Sequence, residues 1–151
     1  RKEEILMHER SAAPARTALV QPSDAPLFIA SVDVRWRDMD AFGHANNSVY
    51  LTYLEEARLQ WLQHMAITFT DHSAPVLAAS NLQYLRPIEW PATLRIELRC
   101  TRLGNSSLTL AHRVIDATDA VYCTGDVVMV WIDPFAGKPV PLPDAVRSAA
   151  A

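Results

Sequence analysis

The sequence is short of several features that would assign it at once. It has no surplus of Lys and Arg: 14 basic residues against 17 acidic ones leave a formal net charge of −3. A surface that tracks phosphates needs a clear basic excess, so nucleic acid is not an expected partner. Only two cysteines occur, Cys100 and Cys123, both inside apolar strand-like runs. They read as small buried core residues in a reducing compartment. No C-x-x-C spacing or other ligand cluster marks a metal site. No apolar run approaches the about 20 residues that a membrane span requires. The opening "RKEEILMHERSAAPARTA" lacks the continuous apolar core of a secretory signal. No internal repeat is visible. The default expectation is a bacterial cytoplasmic protein with no membrane partner.

What is present fits one domain. The chain has 151 residues, half of them apolar and 21% charged, enough to bury a real core. It opens without Met, with Met7 close behind, so residues ahead of the natural start are expected there. Residues 1–26 are read as a polar, Pro- and Ala-containing tail, poorly ordered, and residues 27–147 as the domain. After Pro26 the pattern turns to period two: Phe28, Ala30, Val32, Val34 and Trp36 alternate with Ile29, Ser31, Asp33 and Arg35, as in a strand. From about Ser48 to Ile67 the period becomes helical. Tyr50, Leu54, Ala57, Trp61 and Met65 share one face, with Leu51, Arg58 and Leu62 beside it. An apolar surface that wide predicts a largely enclosed helix. Strands are predicted at 76–85, 94–103, 108–116 and 121–132, joined by turn chemistry at "GNSS" and "ATDA". A Pro-rich turn and tail, "DPFAGKPVPLP", follows. One antiparallel sheet must then cover one long apolar helix, an α+β fold in which the sheet curls about the helix.

The run "RDMDAFGHANNSVYLTYLEEAR", residues 37–58, concentrates polar groups just where the helix begins. Capping explains part of it. The first N–H groups of a helix lack internal partners, and Asn46, Asn47 and Ser48 are suitable caps. Tyr50 and Leu51 stand where the Glu of a capping box would be. Asp38, Asp40 and His44 are left unexplained. Two carboxylates two residues apart at a strand end project to one side. A carboxylate beside the free N–H groups of a helix start is minimal equipment for acyl transfer or hydrolysis. Surface turns also use Asp and Gly-His, so on the residues alone both readings stand. Glu55 and Arg58 read as an i,i+3 ion pair, Asp38 as a structural partner of its loop, and Trp61 and Met65 as core.

The segment "VRWRDMDAFGHANNSVYLTYLEEAR" resembles the entry motif of the 4-hydroxybenzoyl-CoA thioesterase family of hotdog-fold proteins. The likeness extends to "LQYLRPIEW", "LGNSSLTL" and "GKPVPLPDAVR", covering residues 28–147. It implies a hotdog fold, a five-stranded antiparallel sheet wrapped around one long central helix, and an acyl-CoA thioesterase hydrolysing a thioester to a carboxylic acid and coenzyme A. By position, Asp40 aligns with the catalytic aspartate, which attacks the carbonyl or activates water. The backbone N–H of Asn47 aligns with the helix-start donor that polarises the carbonyl. His44 and Asn46 would shape the pocket mouth or orient Asp40, and Gly43 would let the backbone approach the acyl group. Tyr50 and Arg86 complete the substrate-binding candidates, Arg86 toward coenzyme A phosphate; as alternatives, Tyr50 is core and Arg86 an exposed edge residue.

No resident cofactor or metal is expected, coenzyme A being part of the substrate. The resemblance also implies a groove at a subunit interface, in a homodimer or a dimer-of-dimers tetramer. The sequence departs from the plant carrier-protein thioesterases at Phe42, where they have Asn, so their network does not transfer whole. It also lacks the His-Gly-Gly entrance of hotdog thioesterases with a mid-helix carboxylate, although Glu55 and Glu56 sit near that position. Two rival readings are a non-catalytic acyl-thioester-binding hotdog protein and a hotdog hydratase or dehydratase. For the latter, His44 with Asp40 is a poor match in spacing.

Overall fold

In the computed structural model, the structure describes residues 18–19 and 25–151. In chain order the elements are β1 (Ala18–Leu19), β2 (Phe28–Asp33), a short 3-10 turn (Trp36–Asp38), α1 (Asn47–His64) and β3 (Ala74–Tyr84). Then follow β4 (Thr93–Leu103), β5 (Ser107–Ile115), β6 (Val121–Asp133), β7 (Lys138–Pro139) and α2 (Asp144–Ala150). All pairings are antiparallel. The main sheet runs β2–β4–β5–β6–β3, with β1 continuing along β4 and β7 along β6. Five long strands curl around α1, which is the expected hotdog arrangement. Of the expected tail, Ala18 and Leu19 pair with Leu103 and Arg102; residues 1–17 and 20–24 lie outside the described residues.

Alternation in the inner strands produces this curl. Leu94, Ile96, Leu98 and Cys100 of β4, Leu108, Leu110 and Val114 of β5, and Cys123, Val127, Met129 and Trp131 of β6 are all buried. They close on Tyr53, Leu54, Ala57, Trp61 and Leu62 of α1. Both cysteines are free and buried. Burial pushes the Cys123 thiol up to about 11, so it is an inert apolar filler at neutral pH.

Two departures from the sequence reading have local causes. The helix ends at His64 rather than Ile67, because Ala66 turns to φ +54 just beyond the Met65 cap. One flank of α1 is also open: Leu51 and Leu59 are 39% and 46% exposed, beside the edge strand β3. Beyond the Pro-rich turn the chain forms α2. That helix buries Val146 and Ala150 and ties down the β4–β5 hairpin, Arg147 Nη2 donating to Gly104 O at 3.0 Å and Asn105 O at 2.8 Å.

Because β3 and β4 stand at opposite sides of β5 and β6, residues 85–92 must cross the mouth of the sheet. They cross at the start of α1. Ala45 N donates to Ile88 O at 2.8 Å, Leu85 N to Tyr122 O at 2.9 Å, and Val34 N to Ala92 O at 2.9 Å. The topology thereby brings the crossing segment against the polar loop before the helix.

Candidate active site

The loop between β2 and α1 is braced from inside by Asp38. This residue is 5% exposed, and its Oδ2 accepts from Arg35 N at 2.9 Å and from the Tyr53 hydroxyl at 2.8 Å. Burial, reinforced by the bond to Asp38, pushes the Tyr53 pKa well above the usual tyrosine range, so its hydroxyl remains a donor. The Asp38 carbonyl accepts from Asn46 N at 2.9 Å, fixing where the helix begins. Asn46 is the N-cap: its Oδ1 accepts from Ser48 N at 3.0 Å and from the Ser48 hydroxyl at 2.8 Å.

Asp40 stands on the outer side of the same loop. Its Oδ1 accepts from Phe42 N at 2.8 Å and His44 N at 3.3 Å, while its backbone N–H donates to His44 O at 2.7 Å. A tight turn results, closed by Gly43 at φ +77, a conformation that favours glycine. The second carboxylate oxygen, Oδ2, bonds to nothing among the described residues. The same is true of the Asn47 N–H at the helix start, where the helix dipole adds positive potential.

Asp40, His44, Asn47, Tyr50 and Arg86 line one cleft of about 260 Å³ together with Ala45, Tyr84, Leu85 and Pro87. The crossing segment supplies its far wall. Tyr50 is buried and donates to Arg86 O at 3.3 Å; its ring meets Tyr84 edge-on, centroids 5.0 Å apart. His44 turns its Nε2 toward Glu89 at 3.7 Å, so its part in holding Asp40 is played by its backbone. Two candidates fall outside this cleft. Asn46 is occupied as a cap, and Gly43 borders a wider neighbouring cleft of about 600 Å³ with Trp36, Arg37 and Trp90, which shares Asp40 as its wall.

Sequence reasoning missed Tyr84, whose hydroxyl donates to Asn47 O at 3.4 Å. The available signal was an aromatic two residues before "RP", at the strand end that must meet the helix start. The expected Glu55–Arg58 ion pair does not form. Arg35 instead pairs with Glu56 at 3.2 Å, joining the end of β2 to α1. Among the described residues no group of three or more His, Cys, Asp or Glu side chains is placed to hold a metal ion. No helix among them is long and apolar enough to cross a membrane.

Comparison with known proteins bears on the family and the fold. A solved structure of the Pseudomonas aeruginosa protein PA2801, a candidate thioesterase, is 40% identical and superposes with a TM-score of 0.79, covering 83% of this chain and 99% of that one. A Thermus thermophilus thioesterase solved with coenzyme A and zinc is 35% identical, with a TM-score of 0.72 and coverage of 85% and 94%. The acyl-CoA thioester hydrolase YbgC of Escherichia coli is 27% identical over 124 residues, 80% of this chain and 92% of its own. Residues 34–150 match the thioesterase-like superfamily as a whole; with the hotdog sheet and the loop at the helix start in place, the chain belongs to that superfamily.

Proposed function

We propose that the protein is an acyl-CoA thioesterase that hydrolyses a thioester to a carboxylic acid and free coenzyme A, with Asp40 as its carboxylate. One observation carries the reading: the unused Oδ2 of Asp40 and the unpaired N–H of Asn47 belong to residues lining one cleft. The thioester carbonyl oxygen would accept from the Asn47 N–H, whose position at a helix start suits the charge that develops on that oxygen. Asp40 then attacks the carbonyl carbon, giving a mixed anhydride that water hydrolyses to the acid and free Asp40, or it takes a proton from a water that attacks directly; in both routes the thiolate leaves and is protonated. The bonds that hold Oδ1 leave Oδ2 free in either route. Nothing in the reaction so written calls for a resident cofactor. Arg86, exposed at the rim, suits the phosphates of coenzyme A.

We further propose that the protein assembles through β3. β3 is an edge strand of 11 residues, mostly exposed, and carries Val76, Leu77 and Tyr84 at 42%, 45% and 47% exposure. A long apolar edge invites pairing, and two copies joined edge to edge along β3 would cover it and the open flank of α1 as a homodimer, or as half of a tetramer. The two free, buried cysteines fit a reducing cytoplasm.

Thiol release from a panel of aliphatic and aromatic acyl-CoAs tests the reading. We expect release by the wild type and a loss of about a hundredfold or more in Asp40→Asn. Asn keeps an acceptor at Oδ1, so the variant should fold unchanged. Undiminished activity in Asp40→Asn would reject Asp40, and tight binding without release would leave a non-catalytic acyl-thioester-binding protein.

A further inference from the structure

The opposite end of the α1–β3 interface carries a group that the proposed reaction does not use. A groove of about 310 Å³ opens there, lined chiefly by Leu59, Leu62, Phe69, Val76 and Met129, with Arg58 among its lining residues. Arg58 is only 6% exposed, yet its guanidinium makes no hydrogen bond or ion pair among the described residues, and Nη1 is sealed from solvent. A guanidinium has five donors and keeps its charge. Leaving it unpaired in an apolar setting is costly unless something else meets it.

The neighbouring groups do not compensate it. His112 of β5 faces the same part of the core, 3% exposed, with Nδ1 3.2 Å from Leu110 O and Nε2 without a partner. A carbonyl only accepts, so Nδ1 is the protonated nitrogen. Burial, with the charge of Arg58 adding to it, pushes the His112 pKa down to about 3, so this ring brings no charge. Glu55, one turn earlier on α1, is exposed at the rim; its charge is felt at Arg58 but no ion pair closes. A lone buried cation with a planar fork of donors fits a carboxylate, which accepts two parallel bonds and brings the missing charge.

We propose that Arg58 is a specificity determinant that binds a carboxylate carried at the far end of the acyl group, making the preferred substrates monothioesters of dicarboxylic acids. This rests on the thioesterase and β3-pairing readings above. The geometry allows the acyl group to arrive. The groove and the Asp40 cleft lie at opposite ends of the same two elements, residues 47–50 and 84–87 at one, 58–62 and 74–77 at the other. Antiparallel pairing of two β3 edges about the middle of the strand would set residues 84–87 of one copy beside 74–77 of the other. The Asp40 cleft of one copy would then open toward the Arg58 groove of the second. Within one chain the two sites are about 16 Å apart along α1, too far for a short diacid to span, so the Arg58 that such a substrate meets is that of the second copy.

Matched pairs of substrates give the test: succinyl- against butyryl-CoA, glutaryl- against valeryl-CoA, and adipyl- against hexanoyl-CoA. Thiol release is followed for wild type, Arg58→Met and Arg58→Lys. The expected result is that the wild type favours the carboxylate member of at least one pair by tenfold or more in kcat/KM. In Arg58→Met that ratio should fall to one or below, and Arg58→Lys should keep part of it. A wild type that favours the uncharged member of every pair overturns the proposal, whether or not either variant folds. So does a variant that loses both members by the same factor. If no acyl-CoA releases thiol, hydrolysis fails as a reading, and calorimetric binding of adipyl- and hexanoyl-CoA decides the subsite separately. Tenfold tighter binding of adipyl-CoA, lost in Arg58→Met, sustains it; equal binding rejects it.

Discussion

Asp38 and Asp40 lie two residues apart on one loop and meet opposite surroundings. Asp38 points into the protein, 5% exposed, with its Oδ2 taken by Arg35 N and the Tyr53 hydroxyl. Asp40 points outward, with Oδ1 committed to the turn and Oδ2 free. The first carboxylate holds the end of β2 against the side of α1. The second is held by the loop but still has an oxygen to offer a reactant. Proximity in sequence therefore says little about role; what separates them is how many acceptor sites the fold has consumed.

The largest expected effect comes from breaking the inner member. Asp38→Ala leaves the Tyr53 hydroxyl and Arg35 N–H unsatisfied in a buried site, and should cost about 3 kcal/mol of stability. For a chain of this size that corresponds to a fall in Tm of roughly 10 °C, measurable by thermal unfolding. Asp40→Asn should give the converse: a change in Tm of no more than a degree or two, with the hundredfold loss of hydrolysis described above. If Asp38→Ala melts like the wild type, or Asp40→Asn melts far below it, the division of labour between the two carboxylates is wrong.

The division was only half visible in the sequence. Period two in residues 94–103 and 108–116 and the helical period from Ser48 fixed each long element to within a few residues, because every inward position had to be apolar. His112, in an inward position of β5, was the exception that the pattern did not flag. That one of Asn46, Asn47 and Ser48 caps the helix follows from residue type, as does a turn at Gly43, but only the structure picks out Asn46. The expectation that the two aspartates project to one side fails, since β2 stops at Asp33 and the 3-10 turn at Trp36–Asp38, which contains Asp38 itself, replaces the strand alternation there. Side-by-side placement of Arg86 and Asn47 is a product of the 85–92 crossing, a long-range consequence of strand order. The unpaired Arg58 was hidden for a related reason. Its i,i+3 neighbour Glu55 offered a ready partner on paper, and only the packed helix shows that the two do not meet.

A smaller change sharpens the comparison by testing the inner network at its other end. Tyr53→Phe removes one of the two donors to Asp38 Oδ2 and leaves the ring packing intact. The expected cost is about 1–2 kcal/mol. Because both changes touch one hydrogen bond, the double variant Asp38→Ala/Tyr53→Phe should be less destabilised than the sum of the single ones. Additive losses in chemical denaturation would show that the two groups act independently.

The smallest effect belongs to Asn46, where the inner and outer halves of the loop meet. Its N–H donates to the Asp38 carbonyl and its side chain caps the helix whose first free N–H is that of Asn47. Replacing it by Ala removes the cap acceptor for Ser48 N, at a cost of about 1 kcal/mol. The helix start then frays, and the donor proposed to polarise the carbonyl loses its fixed position. Asn46→Ala should therefore lower kcat several-fold while moving KM little, a distinction that a purely structural cap would not produce. Asn46→Ser, which restores a good cap without restoring the amide, should recover both stability and kcat. If it recovers stability but not turnover, the amide of Asn46 itself contacts the substrate, and the cleft extends one residue further toward the loop than its lining now indicates.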